Sequence, residues 1–418
     1  MNILISFPDV RQIKNLLLTS FLDEVRKDES HQYYILVKKK YVNQLQAQIP
    51  FANITFLPFN EPSKFQKKIF GILYGIYEMG CFLTKSCPDQ VVFYNRLKHF
   101  NTKSWSLRIF GHLMGKLIPK KIKDVIFRSL FKESIYEDMN IDRILITTYH
   151  NLYEWQIMAS IKTKNIYFFS DGWDAFTKQT NYFIPPKKVF VWSKGMKTSA
   201  MKNCHLQCEK IIVTGNPFWN MLKIKKVTNN KIKVLAFDTN LNIYNIVQVL
   251  NDIQDLDIKQ DKFELSIRCS PINSPEYLKK YNEFKKFIKK ENIFYSDDWN
   301  SRELTISQVS LVQEYNDQIN NHDVFLVFGP TTVIFDILHL KKPVIILSIK
   351  GTDDGKWDWT ESLQREVLDE LKYHPLVKFV NSLDGFINIL EEMTKHTNSD
   401  NVDDIVINEK KLFQELIN

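Results

Sequence analysis

The sequence predicts an α/β protein of two doubly wound, Rossmann-like domains that face each other across a cleft. Three observations carry that expectation. Short apolar runs alternate with helix-periodic stretches in two series, separated by the polar, aperiodic segment Val227-Thr228-Asn229-Asn230-Lys231. Most of these runs lack polar alternation, as strands covered on both faces do. Several end in polar turns, and open parallel sheets bind ligands at those C-terminal ends. A length of 418 residues, with 44% hydrophobic and 25% charged side chains, suits two packed cores and excludes disordered and fibrous classes.

The first domain is expected over residues 1–226. Residues 2–6 form a buried strand, the loop Phe7-Pro8-Asp9-Val10-Arg11 follows, and helical spacing of apolar residues continues over 12–26. A second strand returns at 33–37. The unit has no G-x-G-x-x-G turn, so no dinucleotide fingerprint is inferred. Arg11 stands at a strand's C-terminal lip, where it either caps a helix or contacts an anion or acceptor.

Between about 62 and 132 the alternation lapses into a basic helical insertion. Lys98, Lys103, Arg108, Lys116, Lys120, Lys121, Lys123, Arg128 and Lys132 concentrate there, interleaved with Leu107, Phe110, Met114, Leu117 and Ile118. Such a segment either packs on the sheet or lies on an anionic membrane; the individual residues fit packing, and the patch as a whole fits a membrane-facing role. The most apolar run, 69–83, is interrupted by Glu78 and falls short of the roughly 20 residues a spanning helix needs.

Residues 142–147 make the next strand, ending in Thr148-Tyr149-His150 ahead of a helix at 153–162. His150 thereby occupies a strand end where a general base or acceptor ligand could sit, although a lone histidine there is more often structural. Strands at 165–169, 188–192 and 211–214 complete the series. The first breaks at Ser170-Asp171-Gly172, with Trp173 and Asp174 beyond, and the second at Ser193, an N-cap for a helix at 194–202. The third ends in Gly215-Asn216-Pro217. The loops at 171–174 and 215–217 are therefore candidate walls of a site.

The second domain is expected over 227–418. Its strands fall at 233–237, 263–268, 293–295, 324–328 and 344–348, with helices at 242–254, 276–290, 307–320 and 332–340. Phe328-Gly329-Pro330-Thr331-Thr332 joins a strand to a helix, so Gly329 permits close backbone approach while Thr331 and Thr332 offer hydroxyls and N–H groups at a positive helix end. A diphosphate suits that turn. Asp336, one turn further, suits ribose hydroxyls. Arg268 ends a strand as Arg268-Cys269-Ser270-Pro271, where it either pairs with a phosphate or forms an interdomain salt bridge.

The net charge of +8 admits an anionic partner without choosing one. Five cysteines and an opening MNILISFPDV that lacks a basic segment followed by an apolar one lead us to expect free thiols in a reducing compartment. Cys204 and Cys208 flank His205, but no second ligand pair follows, and no D-x-D carboxylate pair stands in a suitable loop, so no metal is expected.

With these residues assembled, the chain resembles bacterial surface-carbohydrate glycosyltransferases of the GT-B type, including those related to CDP-glycerol glycerophosphotransferases. FPDVRQIKNLLLTSFLDEV is similar to their first loop and places Arg11 on the family's arginine. DGWDAFT resembles their S-W-D-N-x-T element, matching at Trp173, Asp174 and Thr177 but carrying Gly172 and Ala175 for serine and asparagine. VFVWSKGMK with EKIIVTGNPFW, and TTVIFDILHLKKPVI with Asp336 for glutamate, resemble two further elements. Lys372-Tyr373-His374-Pro375 resembles their final histidine-bearing loop. RCSP stands where the group has R-P-H-P, so a histidine near the donor phosphates is missing.

The resemblance implies transfer of a sugar or glycerophosphoryl-type group from a nucleotide-activated donor to a lipid-linked or surface glycan, at the cytoplasmic face of the inner membrane, in lipopolysaccharide or capsule assembly. Donor-side residues would be Arg268, Gly329, Thr331, Thr332, Asp336 and Gly215, and acceptor-side residues Arg11, Trp173 and Thr177. Asp174 is the first candidate base, followed by Asp171 and His150. No cofactor beyond the nucleotide donor is expected, and no nucleic-acid partner. The alternatives are a nucleotide-sugar 2-epimerase, which would have no use for a membrane-facing patch, and a non-catalytic glycan-binding relative.

Overall fold

The computed structural model describes residues 1–9, 12–70, 120–148, 151–172, 176, 184–204, 206–225, 231–237, 253, 263–269, 293–295, 309–328, 331–347, 369–380, 382–395 and 409–418. They divide into two compact units. The first includes Met1–Asn220 and Val406–Asn418, and the second includes Met221–Arg302 and Ser307–Ile405.

The first unit is a seven-stranded parallel sheet in the order β3-β2-β1-β4-β5-β6-β7, built from β1 (Asn2–Phe7), β2 (Gln32–Val37), β3 (Ile54–Pro58), β4 (Arg143–Ile146), β5 (Ile166–Phe169), β6 (Lys188–Val191) and β7 (Ile211–Val213). Ile3, Leu4, Ile5 and Phe7 are wholly buried, which is why β1 carries no polar alternation. The single helix expected at 12–26 is two pieces, a π-helical turn Ile13–Leu17 and helix α1 (Ser20–Lys27). Thr19 divides them, because its hydroxyl donates to the Leu16 carbonyl and accepts from the Phe21 N–H. Helix α2 (Lys39–Gln48) connects β2 to β3.

Helix α3 (Lys120–Phe131) is the described end of the basic insertion, and it packs on α4 (Leu152–Ser160). Phe127 and Phe131 meet Trp155 at ring separations of 5.2 and 5.5 Å. Arg128 donates to the carbonyls of Met158 and Ala159 and so closes the end of α4. These residues follow the packing alternative; the expected basic positions from Lys98 to Lys116 lie outside the described residues.

The second unit is a six-stranded parallel sheet in the order β10-β9-β8-β11-β12-β13. Its strands are β8 (Ile232–Phe237), β9 (Phe263–Cys269), β10 (Ile293–Tyr295), β11 (Val324–Val327), β12 (Val344–Leu347) and β13 (Val377–Val380). Counted from β8, this is the 3-2-1-4-5-6 order of a Rossmann sheet, with its switch point between β8 and β11. Helices α5 (Lys194–Cys204, in the first unit), α6 (Val309–Asn320) and α7 (Val333–His339) fall where expected, and a further helix, α8 (Leu383–Lys395), follows β13. The helices expected at 242–254 and 276–290 fall almost entirely outside the described residues.

Two boundaries differ from expectation. The change of unit falls at Asn220/Met221, ahead of the polar segment at 227–231. The final helix, α9 (Glu409–Ile417), belongs to the first unit and not to a second domain running to 418. Its Phe413 ring meets Phe21 edge-on at 6.2 Å, Glu415 pairs with Lys188, and Arg143 donates to the Leu416 carbonyl. The apolar side of α9, with Leu412 and Leu416 wholly buried, finds its cover on the first sheet's layer.

Candidate functional site

In the first unit, polar side chains gather at the C-terminal ends of β1, β4 and β5, beside the point where the strand order reverses. Asp171, just past β5, is nearly buried at 9% exposure. Its Oδ2 accepts from Gln12 Nε2 at 2.9 Å, and Gln12 Oε1 accepts from the Asp9 N–H at 2.8 Å. That second bond fixes which way the buried amide points, so Gln12 presents a donor to Asp171.

Glu154 lies alongside and is wholly buried. Its two carboxyl oxygens accept from the backbone N–H groups of Thr147 and Thr148 at 2.8 and 3.0 Å. Thr147 in turn donates its hydroxyl to the Ser6 carbonyl at 2.8 Å, tying the end of β4 to the end of β1. Burial pushes the Glu154 carboxyl well above the usual range, the negative charge of Asp171 adds to that, and the Thr147 N–H opposes it without prevailing.

Of the other expected first-unit residues, Arg11, His150, Trp173, Asp174 and Thr177 lie outside the described residues. Gly215 is described, at the exit of β7 with φ of 74°, a left-handed conformation that favours glycine. It belongs to the first unit, whereas Arg268, Thr331, Thr332 and Asp336 belong to the second.

In the second unit, Arg268 near the end of β9 and Asp336 on α7 are joined through Tyr315 of α6. The Arg268 guanidinium lies 5.0 Å from the centre of the Tyr315 ring and donates to Gln318 Oε1. The Tyr315 hydroxyl donates to Asp336 Oδ2 at 2.8 Å. Burial pushes the Tyr315 phenol far above its ordinary value, and the Asp336 charge and hydrogen bond add to it against the opposing charge of Arg268. Tyr315 is therefore a permanent donor, and Asp336, at 8% exposure, is a held carboxylate. Tyr315 and Gln318, which Arg268 meets here, belong to the same unit as Arg268.

Thr331 and Thr332 are half-buried at the start of α7, and the Thr332 side chain does not cap that helix. Gly329 lies outside the described residues. His374 stands at the start of β13, so the parallel strands place the Lys372–Pro375 loop at the sheet edge opposite Arg268. Its Nδ1 accepts from the Leu376 N–H, and burial lowers its pKa.

Several solved structures share this architecture along the whole chain. The UDP-GlcNAc 2-epimerase from Neisseria meningitidis bound to UDP-GlcNAc is 12% identical with a TM-score of 0.54, each chain covering 100% of the other. The MnaA–UDP co-structure from S. aureus is 8% identical with a TM-score of 0.53, covering 99% of this chain and 97% of that one. The UDP-GlcNAc 2-epimerase from Methanocaldococcus jannaschii is 12% identical with a TM-score of 0.51, covering 100% and 99%. The fold is of the GT-B type. No protein-family model matches the sequence, and no curated protein matches it.

Three residues of these clusters, Gln12, Glu154 and Tyr315, escaped the sequence reading. Glu154 had a signal: Asn151-Leu152-Tyr153-Glu154 is an N-cap followed three residues later by glutamate, and the Asn151 side chain does accept from the Tyr153 N–H at 2.9 Å. Gln12 and Tyr315 had none, since their partners are distant in sequence. Among the described residues no group of three His, Cys, Asp or Glu could hold a metal ion, and neither Cys204 nor Cys208 is in a disulfide.

Proposed function

We propose that the protein is a transferase that moves a sugar, or a glycerophosphoryl-type group, from a nucleotide-activated donor to a glycan or lipid-linked acceptor. The observation that carries the reading is the pairing of Arg268 and Asp336 through Tyr315 across the switch point of a 3-2-1-4-5-6 sheet. A cation and a carboxylate at that place suit the two ends of a nucleoside diphosphate. In this reading Arg268 and the Thr331-Thr332 turn take the diphosphate, and Asp336 takes the ribose.

Chemistry of the sugar transfer is then one displacement. A base on the acceptor side, Asp174, Asp171 or His150, takes the proton of the attacking hydroxyl as its oxygen bonds to the anomeric carbon. The bond from that carbon to the donor phosphate breaks, and the nucleoside diphosphate leaves with the electron pair. Arg268 and the turn at Thr331 stabilise the charge that develops on it. Among the candidate bases, Asp171 is the one whose described surroundings include a donor, the Gln12 amide, that orients its carboxylate.

The acceptor and the membrane enter through the surface of the insertion. Residues 64–70 are helical, and Gln66 bonds to Glu133 and to the Leu130 carbonyl at the end of α3. Phe65, Val125 and Ile135 are 61%, 65% and 57% exposed, and Lys64, Lys67 and Lys68, next to Phe65 in the chain, are exposed as well. Exposed apolar side chains among lysines suit an anionic bilayer, which fits a peripheral protein of the cytoplasmic membrane face. No described helix is long and apolar enough to cross a membrane.

A nucleotide-sugar 2-epimerase is the second reading, favoured by the full-length likeness to such enzymes. Incubation of the purified protein with nucleotide-sugars, with and without glycan acceptors, separates the two. Release of free nucleotide only when an acceptor is present supports transfer. An epimeric nucleotide-sugar formed without acceptor supports the second reading, and no turnover with any donor sinks both.

A further inference from the structure

We infer that Tyr315 is the positioning residue of the second unit's nucleotide site, holding the Asp336 carboxylate for a ribose diol with its hydroxyl and the Arg268 guanidinium for a diphosphate with its ring. The inference rests on the nucleotide reading above. Its basis is a convergence of three elements that are separate in sequence. β9 supplies Arg268, α6 supplies Tyr315 and α7 supplies Asp336. β9 and β11 flank β8, and α7 follows β11, so Tyr315 bridges the two sides of the strand at which the order reverses.

Each end of the bridge restricts one functional group. The Tyr315 hydroxyl is buried and must find an acceptor, and the O–H to Asp336 bond at 2.8 Å is charge-assisted. A carboxylate so held keeps one orientation, where a solvated one samples many rotamers. The ring lies 5.0 Å from the guanidinium, and Gln318, itself buried, takes one of the guanidinium's N–H groups. A guanidinium held over an aromatic face and bonded to a neighbouring amide has its donor fork restricted, and a restricted fork is the form that recognises phosphate with two bonds. One side chain thus sets the geometry at both ends of a nucleoside diphosphate, and the two roles reside in different atoms.

That division makes the proposal testable. Wild type, Tyr315→Phe and Tyr315→Leu are titrated calorimetrically with UDP or CDP, whichever wild type binds more tightly, with the 2′,3′-dideoxy form of the same nucleotide, and with inorganic pyrophosphate. Phenylalanine keeps the ring and loses the hydroxyl. It is expected to weaken the natural nucleotide on the order of tenfold while leaving the dideoxy nucleotide and pyrophosphate within about twofold. Leucine removes the ring as well and is expected to weaken pyrophosphate too.

A Tyr315→Phe protein that binds the natural nucleotide like wild type overturns the inference and leaves the nucleotide reading standing. So does a Tyr315→Phe protein that loses all three ligands equally, since that marks a purely structural tyrosine. Failure of wild type to bind either nucleotide overturns reading and inference together. If the leucine protein does not fold, the phenylalanine arm decides alone.

Discussion

Replacing Glu154 with glutamine tests the buried acid of the first unit through the pH dependence of stability. The carboxyl accepts two backbone N–H groups, from Thr147 and Thr148, at a site with no exposure. An amide keeps the shape but offers one acceptor oxygen and one donor, so one N–H loses its partner. An unsatisfied buried donor costs about 1–3 kcal/mol, and that is the expected loss at acid pH. Alanine orphans both N–H groups and should cost roughly twice as much.

The sign of the pH effect follows from the raised pKa of Glu154. A carboxyl raised on folding contributes stability that is fully present below its unfolded value, near 4.5, and is lost as pH rises through its folded value. Wild type therefore loses up to about 1.4 kcal/mol per pH unit in that window, while the glutamine protein does not titrate there. The gap between them should be widest at acid pH and shrink as pH rises. Urea unfolding of both proteins, followed by circular dichroism between pH 5 and 9, measures it. A gap that stays flat, or widens with pH, refutes the argument.

Gln12→Leu leaves Asp171 and the Asp9 N–H without the partner that joins them, so stability should fall by about 1–3 kcal/mol in urea unfolding. If Asp171 is the base, turnover with an acceptor should fall more than donor binding does; an unchanged rate removes Asp171 from that role. Phe413→Ala should release α9 from Phe21 at a cost of about 3–5 kcal/mol, read as a lower urea midpoint, and an unchanged midpoint contradicts the assignment of that helix to the first unit. Exchanging Phe65, Val125 and Ile135 together for serine should weaken flotation with anionic vesicles several-fold without lowering the melting temperature, because all three are exposed. Equal flotation of the triple variant argues against a membrane role for this surface.

The two series of strands and helices were legible in the sequence, because apolar periodicity and capping residues act over a few neighbours. β1, β4, β8 and β11 fall within a residue or two of their expected positions, and even the Asn151 cap was written in four consecutive residues. What it left undecided were associations between distant residues. Nothing near Thr19 revealed that its hydroxyl would split one helix in two, since the competing bonds differ little in energy. Nothing in the apolar stripe of residues 409–417 specified which sheet would cover it, because burial is non-directional and any apolar surface of the right shape satisfies it. Long-range packing is what returns α9 to the first unit, sets Gln12 against Asp171, and lets Arg268 and Asp336 share Tyr315. Each of those bonds joins groups that pattern reading treats separately, and each forms only when the strand order brings their ends together.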